Sequence, residues 1–340
     1  MPAQDELDLV LFGATGFTGG LTAEYLAGHA GEDVRWGLAG RNRAKLEAVR
    51  DRLVSINPVC AALPLLRADV GDESSLADMA ESARVVITTV GPYVNYGEPL
   101  VAACAKAGTD YVDLTGEPEF VDRMYLRYHQ QAQASGARIV HACGFDSIPH
   151  DLGALFTVEQ LPEGVPLRVR GFVRVNGKPS AGTFHSAVTA FSRVRQLAAV
   201  HSERRRTEPG PPPGRRISSI GGAVHYEGSL GTWAVAMPTI DPQIVRRSAT
   251  ALDRYGPDFA YGHYLAIKHL PTALGLAGGV GSLFVLSQVP PSRTWLMGRM
   301  SSGQGPSSEE RAKFWFKVRF IGEGGGQRVV TEVAGGDPGY

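Results

Sequence analysis

Leu9-Val10-Leu11-Phe12-Gly13-Ala14-Thr15-Gly16-Phe17-Thr18-Gly19-Gly20 is the stretch that decides the fold of this chain. An apolar run leads into glycines spaced three residues apart and then into a helix-compatible segment, which is typical of a turn that holds a dinucleotide pyrophosphate. The alternative is a glycine turn without a binding role, because the spacing is G-x-x-G-x-x-G rather than G-x-G-x-x-G. The residues that we expect to contact the cofactor here are Gly13, Thr15, Gly16, Phe17, Thr18 and Gly19.

Length, charge and cysteine content limit the classes of protein to consider. The chain has 340 residues, so we expect two domains, at residues 1–150 and 151–340. Its 34 basic and 34 acidic residues balance, which argues against a nucleic-acid partner. The three cysteines lack metal-ligand spacing, and the acidic N-terminus lacks an apolar signal core. We therefore expect no metal and a cytoplasmic location.

The first domain alternates apolar runs with helical patterns, which predicts a doubly wound parallel sheet of the Rossmann type. Ligands bind beyond the carboxyl ends of the strands in such a sheet. The predicted strands are Leu7–Phe12, Val34–Leu38, Leu63–Ala68, Val85–Val90, Tyr111–Leu114 and Arg138–His141. The predicted helices are Thr18–Gly28, Arg43–Leu53, Ser74–Glu81, Glu98–Ala107 and Glu119–Ala134.

The end of the second predicted strand favours NADPH over NADH. A site that prefers NAD usually has an Asp or Glu there to bond the ribose hydroxyls, whereas this strand ends in Ala39-Gly40-Arg41-Asn42-Arg43. The guanidinium of Arg41, followed by Asn42, can pair with a 2′-phosphate. The alternative is an arginine at a helix start that simply faces solvent.

Two further strand ends carry candidate cofactor contacts. Asp69 can bond the adenine amino group while Val70 packs on the ring, although Asp69 could equally cap a helix. The segment Val90-Gly91-Pro92 would let the backbone lie along the nicotinamide ribose, and Tyr93 could reach the ring face.

Five motifs in order give the chain a specific resemblance to a known family. They are Gly-Ala-Thr-Gly-Phe-Thr-Gly at 13–19, Leu-Ala-Gly-Arg-Asn at 38–42, Val-Gly-Pro-Tyr at 90–93, Gly-Glu-Pro at 116–118 and Gly-Phe-Asp-Ser-Ile-Pro at 144–149. The chain resembles the saccharopine dehydrogenase-like oxidoreductases, in particular the actinobacterial trans-acting enoyl reductases. The resemblance implies a Rossmann domain, NADP(H), a second α+β domain, and reduction of an enoyl double bond on a polyketide-derived lipid precursor of the glycolipid or phthiocerol type.

Enoyl reduction requires a proton donor besides the hydride, and three residues near strand ends are candidates. These are Tyr93, Tyr96 and His150. Asp146 is expected to hold the nicotinamide carboxamide or to position His150. Each has an alternative role: Tyr93 could only pack on the ribose, His150 could cap a helix that starts near Asp151, and Asp146 could build a turn.

The second domain has a different pattern. Leu167–Val175 predicts a strand, Phe184–Val200 an amphipathic helix, and Phe314–Ile321 with Gln327–Val333 a hairpin. Arg204–Arg216 predicts a basic, proline-rich loop that is either solvated or in contact with anionic lipid headgroups or an acidic carrier.

The segment Leu270–Ser292 contains no charged residue. Its glycines weaken it as an isolated helix, so we expect a buried or interfacial helix that lines a substrate tunnel or touches a membrane. A true membrane span is the alternative. The flanking cationic residues that could reach headgroups are Lys268, His269, Arg293 and Arg299.

Three functions fit the sequence: an NADPH-dependent reductase of a lipid or polyketide intermediate, a saccharopine dehydrogenase, and a nucleotide-binding scaffold without catalysis at a membrane or lipid surface. For the first function we expect a free or carrier-bound small-molecule substrate, peripheral contact with the plasma membrane, and a homodimer. A saccharopine site would need convergent cations, whereas Arg168, Arg170, Arg174 and Lys178 alternate along one strand. Relatives in the resembling family usually continue beyond Ala334–Tyr340 with a helical closing segment, so we expect that segment to be missing.

Overall fold

Six strands form the first sheet of the computed structural model, which describes residues 7–177, 181–298 and 305–338. The strands are β1 (Leu7–Phe12), β2 (Trp36–Gly40), β3 (Leu65–Arg67), β4 (Ala83–Thr88), β5 (Asp110–Asp113) and β6 (Ile139–Val140). The helices between them are α1 (Phe17–His29), α2 (Arg43–Leu53), α3 (Glu73–Glu81), α4 (Tyr93–Tyr96), α5 (Glu98–Ala107) and α6 (Pro118–Ser135). A 3-10 turn spans Pro58–Ala62.

All strand pairs in this sheet are parallel, and the order is β3-β2-β1-β4-β5-β6. Neighbouring residues of β1 enter different cores: Val10 packs with Leu76 and Val101 of helices α3 and α5, whereas Leu11 packs with Leu46 and Leu53 of helix α2. Both faces are therefore covered, which explains why the strands read as continuous apolar runs. The predicted fold class is confirmed, and the predicted strands differ from the observed ones only at their ends.

A second, mixed sheet follows the first. Its strands are β7 (Leu167–Asn176), β8 (Arg216–Ser219), β9 (Val224–Glu227), β10 (Thr232–Ala236), β11 (Asp258–Ile267), β12 (Trp315–Gly324) and β13 (Gln327–Gly335). Its helices are α7 (Ile148–Glu159), α8 (Ala181–Ser192), α9 (Val194–Thr207), α10 (Asp241–Ala251), α11 (Leu270–Gln288), α12 (Pro290–Gly298) and α13 (Ser308–Arg311), with a 3-10 turn at Asp253–Tyr255.

The second sheet runs β13-β12-β7-β11-β10-β9, and β8 pairs with β11. The predicted hairpin is confirmed as β12 and β13, which pair antiparallel from Phe316↔Gly335 to Gly324↔Gln327. Helix α7 lies against this hairpin so closely that a Cβ on Gly153 would come within 2.3 Å of the Phe320 ring. The domain boundary that we place at residue 150 stays a prediction.

The prediction of one helix over Phe184–Val200 is wrong, because the chain forms α8 and α9 with a break at Arg193. The backbone of Arg193 adopts φ −119° and ψ 21°, outside the helical region. Its guanidinium donates two hydrogen bonds of 2.6 and 2.7 Å to the carboxylate of Glu119 in α6. A long-range ion pair therefore accompanies a break that the apolar pattern does not show.

The predicted basic loop at Arg204–Arg216 is also wrong in part. Helix α9 continues to Thr207, and Arg204 is buried, where it pairs with Asp122 at 2.7 Å and Glu208 at 2.6 Å. Arg215 donates to backbone carbonyls such as that of Ala249. These two arginines are engaged inside the protein and are not part of a free basic surface.

Most of the apolar segment forms helix α11. Only two residues of this helix, Ala273 and Ser287, are buried. The prediction of a buried helix is therefore wrong, whereas an interfacial position agrees with this exposure. Within the described part of the chain, α11 is the one helix long and apolar enough to cross a membrane by length and composition. Arg299 and Lys178 lie outside the described residues.

Candidate cofactor site and active site

The glycine turn after β1 lies at the point where the strand order of the first sheet reverses, next to the loop after β4. The Thr89 hydroxyl is 3.3 Å from the carbonyl oxygen of Gly13, to which it donates. Gly13 has φ +92°, and a Cβ there would meet the Thr89 hydroxyl at 2.7 Å. This crevice is where doubly wound sheets bind nucleotides, and only glycine fits the turn that forms it.

The N-terminus of helix α1 is built to accept an anion. Helices α2 and α3 begin with side-chain caps from Asn42 and Asp72, whereas in the described part of the chain no side chain caps α1 at Gly16. Its first turn also contains no acidic residue. The backbone N–H groups of that turn are left for a ligand, as a pyrophosphate would require. Thr15 and Gly16 are exposed, and Phe17 and Thr18 are half-buried.

A segment from the second half of the chain reaches the glycine turn. The backbone at Gly305 lies against the Phe17 ring, and a Cβ at that position would come within 2.4 Å of a ring carbon. No local sequence pattern indicates this contact, because Gly305 is separated from the turn by almost the whole chain.

Arg41 follows β2 with its side chain in solvent, as a 2′-phosphate contact requires. Arg43 pairs with Glu47 at 3.1 Å, and Asn42 uses its side-chain oxygen to accept from the N–H of Lys45 at 3.0 Å. Across residues 7–177, 181–298 and 305–338, no ion pair is formed by Arg41. The guanidinium of Arg41 is therefore available to a ligand, whereas Asn42 already has a structural role as the cap of α2.

Asp69 closes a local turn rather than capping helix α3, so the alternative that we considered for it is wrong. Its Oδ1 accepts the N–H of Gly71 at 3.0 Å, while Asp72 caps the helix. Val70 packs against the core of the first sheet. The predicted contacts of Asp69 and Val70 with adenine stay predictions.

The buried carboxylate of Glu117 organises the loop after β4. It accepts the backbone N–H groups of Tyr93 at 3.1 Å and Val94 at 2.8 Å, and the hydroxyl of Ser186 in α8 at 2.8 Å. Burial raises the pKa of Glu117. Glu117 therefore holds Val90, Gly91 and Pro92, which immediately precede Tyr93, at the carboxyl edge of the sheet, where a backbone contact with a cofactor is predicted.

The structure turns Tyr93 inward. Its side chain is 5% exposed, and its hydroxyl donates to the carbonyl oxygen of Thr88 at 3.1 Å. Burial raises the pKa of its phenol well above the ordinary range. As placed here, Tyr93 packs in the core and does not present its ring to a ligand, whereas Tyr96 at the end of α4 is 46% exposed.

The ends of β5 and β6 are tied together by the buried carboxylate of Asp113. Its Oδ1 accepts the N–H groups of Thr115 at 3.0 Å and Ala142 at 2.9 Å, and its Oδ2 accepts the Tyr111 hydroxyl at 2.9 Å. This network fixes the two loops that carry Gly116 and Asp146.

Asp146 lies in the loop between β6 and α7, beside Gly116 of the loop after β5. The residue is accessible to solvent, yet protein surrounds most of its carboxyl group. A Cβ on Gly116 would lie 2.8 Å from Asp146 Oδ2, so the glycine makes room for the carboxylate. Burial and the neighbouring negative charge of Asp241 raise the pKa of Asp146 to about 6. Its carboxyl group can therefore hold or release a proton near neutral pH.

A buried cluster that the sequence did not reveal lies beside Asp146. Asp241 Oδ1 is 3.4 Å from His150 Nε2, and its Oδ2 is 3.6 Å from His263 Nε2. These spacings are too long for good hydrogen bonds. Within the described residues, His150 Nδ1, Asp241 Oδ1 and His263 Nε2 have no hydrogen-bond partner.

The cluster changes two expectations about His150. Helix α7 begins at Ile148, so His150 is a buried residue of its first turn and does not cap a helix near Asp151. Burial lowers the pKa of His150, and burial lowers that of His263 to about 4, so both imidazoles are neutral near pH 7. The three side chains also offer potential metal ligands within 4.8 Å of one another, which no local spacing indicated.

Comparisons with known proteins show the family and the cofactor class of this chain. Residues 9–140 match the family model for the saccharopine dehydrogenase NADP binding domain. The chain is 38% identical to the trans-acting enoyl reductase of Mycobacterium ulcerans, with 92% of this chain and 79% of that protein covered. It is 40% identical to Rv2449c of Mycobacterium tuberculosis, which carries a provisional name as a trans-acting enoyl reductase, with 98% and 85% covered.

A solved structure supports the fold over the whole chain. Apo saccharopine dehydrogenase (L-Glu forming) from Saccharomyces cerevisiae superposes with a TM-score of 0.54, covering 98% of this chain and 87% of that one. The sequences are 13% identical, so this likeness concerns the fold alone.

Proposed function

Because this chain belongs to the trans-acting enoyl reductase family and carries an NADP-binding domain of the saccharopine dehydrogenase type, we propose that it reduces an enoyl double bond on a lipid or polyketide intermediate. It is an NADPH-dependent oxidoreductase. The product would be the saturated acyl group, such as those found in glycolipids and phthiocerol-type lipids.

The residues at the carboxyl edge of the first sheet fit NADP(H). The uncapped N-terminus of α1 would hold the pyrophosphate, and Arg41 would hold the 2′-phosphate. The bound cofactor supplies the hydride, which is delivered to the β carbon of the enoyl group. The chain itself must then provide a proton for the α carbon.

Replacing Arg41 by alanine should weaken NADPH binding far more than NADH binding. The lost charge-assisted contact should cost about 1.5–3 kcal/mol, or roughly 10- to 150-fold in the Kd for NADPH. Quenching of tryptophan fluorescence during titration with each dinucleotide measures both constants. Arg43→Ala is the matched control, because Arg43 pairs with Glu47. Equal losses for NADPH and NADH in Arg41→Ala would remove the 2′-phosphate contact from the proposal.

Asp146 carries the mechanistic part of the proposal. Its raised pKa, about 6, keeps a useful fraction of the carboxyl group protonated near neutral pH, and its side chain is accessible. Asp146 would give this proton to the α carbon as the hydride arrives at the β carbon. Asp241 would act through Asp146, because the negative charge of Asp241 favours retention of the proton on Asp146.

The saccharopine alternative is less well supported by the second sheet. A tricarboxylate substrate requires several unpaired cations pointing to one place. Arg170 is instead held between Glu227 at 2.5 Å and Glu323 at 3.3 Å. Its neighbours Arg168 and Arg174 are exposed on β7.

The direct test is NADPH oxidation, followed by absorbance, with α,β-unsaturated acyl thioesters of short and long chain, on coenzyme A and on an acyl carrier protein. We expect turnover, with formation of the saturated thioester confirmed by mass spectrometry. Saccharopine with NADP⁺ is the control for the alternative activity. Tight NADPH binding without turnover of any enoyl thioester would favour the non-catalytic scaffold instead.

A further inference from the structure

Helix α11 presents large apolar side chains to solvent over most of its length. The helix has 19 residues, a mean hydropathy of 1.6 and no charged residue. Leu274 is 57% exposed and Val285 is 62% exposed. Such continuous apolar exposure is unusual for a water-facing surface and marks an interaction site.

The exposed side chains lie on opposite sides of the helix. At about 100° per residue, Leu274 and Val285 point within about 20° of each other, whereas Leu276 points about 200° away from Leu274. Leu276 is nevertheless 41% exposed, and Val280, one turn further along the helix, is 40% exposed. A groove on a protein partner would cover one side of such a helix, whereas acyl chains can surround all of its free sides.

Helix α11 is anchored to the protein body along α8. The side-chain amide of Gln288 donates to the carbonyl oxygen of Phe191 at 2.6 Å, and the rings of Phe191 and Phe284 pack edge to face at 5.9 Å. This attachment favours a helix that lies in the plane of a membrane surface over one that crosses it.

Cationic and aromatic residues flank the apolar surface. Lys268 lies two residues before the first residue of the helix, and Arg293 follows the helix in α12. In the part of the chain that the structure describes, neither residue forms an ion pair. Trp295 in α12 is 54% exposed. Unpaired cations beside exposed apolar and tryptophan side chains are complementary to an anionic membrane surface.

We propose that α11, together with the start of α12, docks the protein on a bilayer that contains anionic lipids. The apolar side chains would enter the acyl region, and Lys268 and Arg293 would contact the headgroups. The docking helix is also connected to the loop after β4, because the Ser186 hydroxyl of α8, on which α11 rests, donates to Glu117 at 2.8 Å.

Cosedimentation with vesicles tests this proposal without NADPH or substrate, so its result does not depend on the proposed reaction. Vesicles of phosphatidylcholine alone are compared with vesicles containing phosphatidylglycerol. We expect binding that is stronger on the anionic vesicles and weaker in high salt. The double variant Leu274→Ser/Val285→Ser should lower the partition coefficient by at least about tenfold.

The matched control is Leu152→Ser/Val330→Ser, which removes side chains of similar exposure, 56% and 58%, from α7 and β13. This control should bind vesicles as the unchanged chain does, and all variants should keep their thermal unfolding midpoints. Equal losses in both double variants, or no vesicle binding by the unchanged chain, would overturn the proposal. Self-association through α11 without vesicle binding would overturn it in favour of a second copy of the chain.

Discussion

Asp146→Asn should lower kcat/KM for an enoyl thioester by about 10²- to 10³-fold, the size of effect expected when a general acid is lost. Asparagine keeps the shape of the carboxyl group that Gly116 accommodates, but it cannot give up a proton at the pH of the assay. The Kd for NADPH should change by less than about threefold, because the substitution leaves the glycine turn and Arg41 untouched. Steady-state kinetics and fluorescence titration measure the two quantities separately.

The pH dependence gives a second measure of the same role. The pKa of Asp146 is raised to about 6, so its proton is present below pH 6 and is lost as the pH rises. We therefore expect kcat/KM to be level at low pH and to fall about tenfold per pH unit well above pH 6. Asp241→Asn removes a repulsive negative charge and should move this fall to lower pH. A structural role alone would reduce activity without moving the profile.

Tyr96→Phe is the comparison that separates the candidate donors. Tyr96 is the exposed member of the predicted donor set, whereas Tyr93 and His150 are buried. Near-normal activity in Asp146→Asn combined with a large loss in Tyr96→Phe would assign the proton to Tyr96. An Asp146→Asn variant that turns over normally but binds NADPH poorly would instead support the predicted contact with the nicotinamide carboxamide.

The first sheet could be predicted almost completely because its signals are local. Helices Arg43–Leu53 and Glu98–Ala107 occur with the predicted bounds, since each has a regular apolar spacing and a clear start or stop signal. The parallel strands are continuous apolar runs because helices cover both faces. The predicted position of the cofactor at this crevice rests on the same local signals, because glycine turns follow the strand ends there.

The inner part of the site could not be predicted because its members come from distant elements. Asp241 begins α10 and His263 lies in β11, yet both meet His150 of α7. No spacing of residues along the chain indicates that these three side chains lie together. The orientation of Tyr93 could not be predicted either. It depends on Glu117, whose carboxylate accepts the backbone N–H of Tyr93.

Composition alone also could not decide where the apolar segment lies. The residues of α11 are as apolar as those of a core helix, and the sequence pattern is the same whether neighbours cover it or not. Only the packing shows that α8 takes one side and leaves Leu274, Leu276 and Val285 exposed. The break at Arg193 is a similar case, since its partner Glu119 lies in the first domain.

Gly19→Ala should abolish measurable NADPH binding, with an increase in Kd of at least about a hundredfold. A Cβ at this position would lie 2.2 Å from the carbonyl oxygen of Gly13 and 2.8 Å from its carbonyl carbon. Because these are backbone atoms of a fixed turn, helix α1 would have to move away from β1, and its N–H groups would move with it. Calorimetric titration with NADPH measures the loss, and the unfolding midpoint shows whether the fold survives.

Gly28→Ala is the matched control for this last substitution. It adds the same methyl group to the same helix, where the nearest neighbour would be the Ile56 side chain at 3.8 Å, an ordinary contact distance. Alanine also favours a helix over glycine, so this variant should be as stable as the unchanged chain and bind NADPH normally. If Gly19→Ala folds and binds NADPH within about threefold of the unchanged chain, the close packing of α1 on the turn does not position the pyrophosphate donors. In that case the crevice would hold the cofactor through other contacts, with Arg41 first among them.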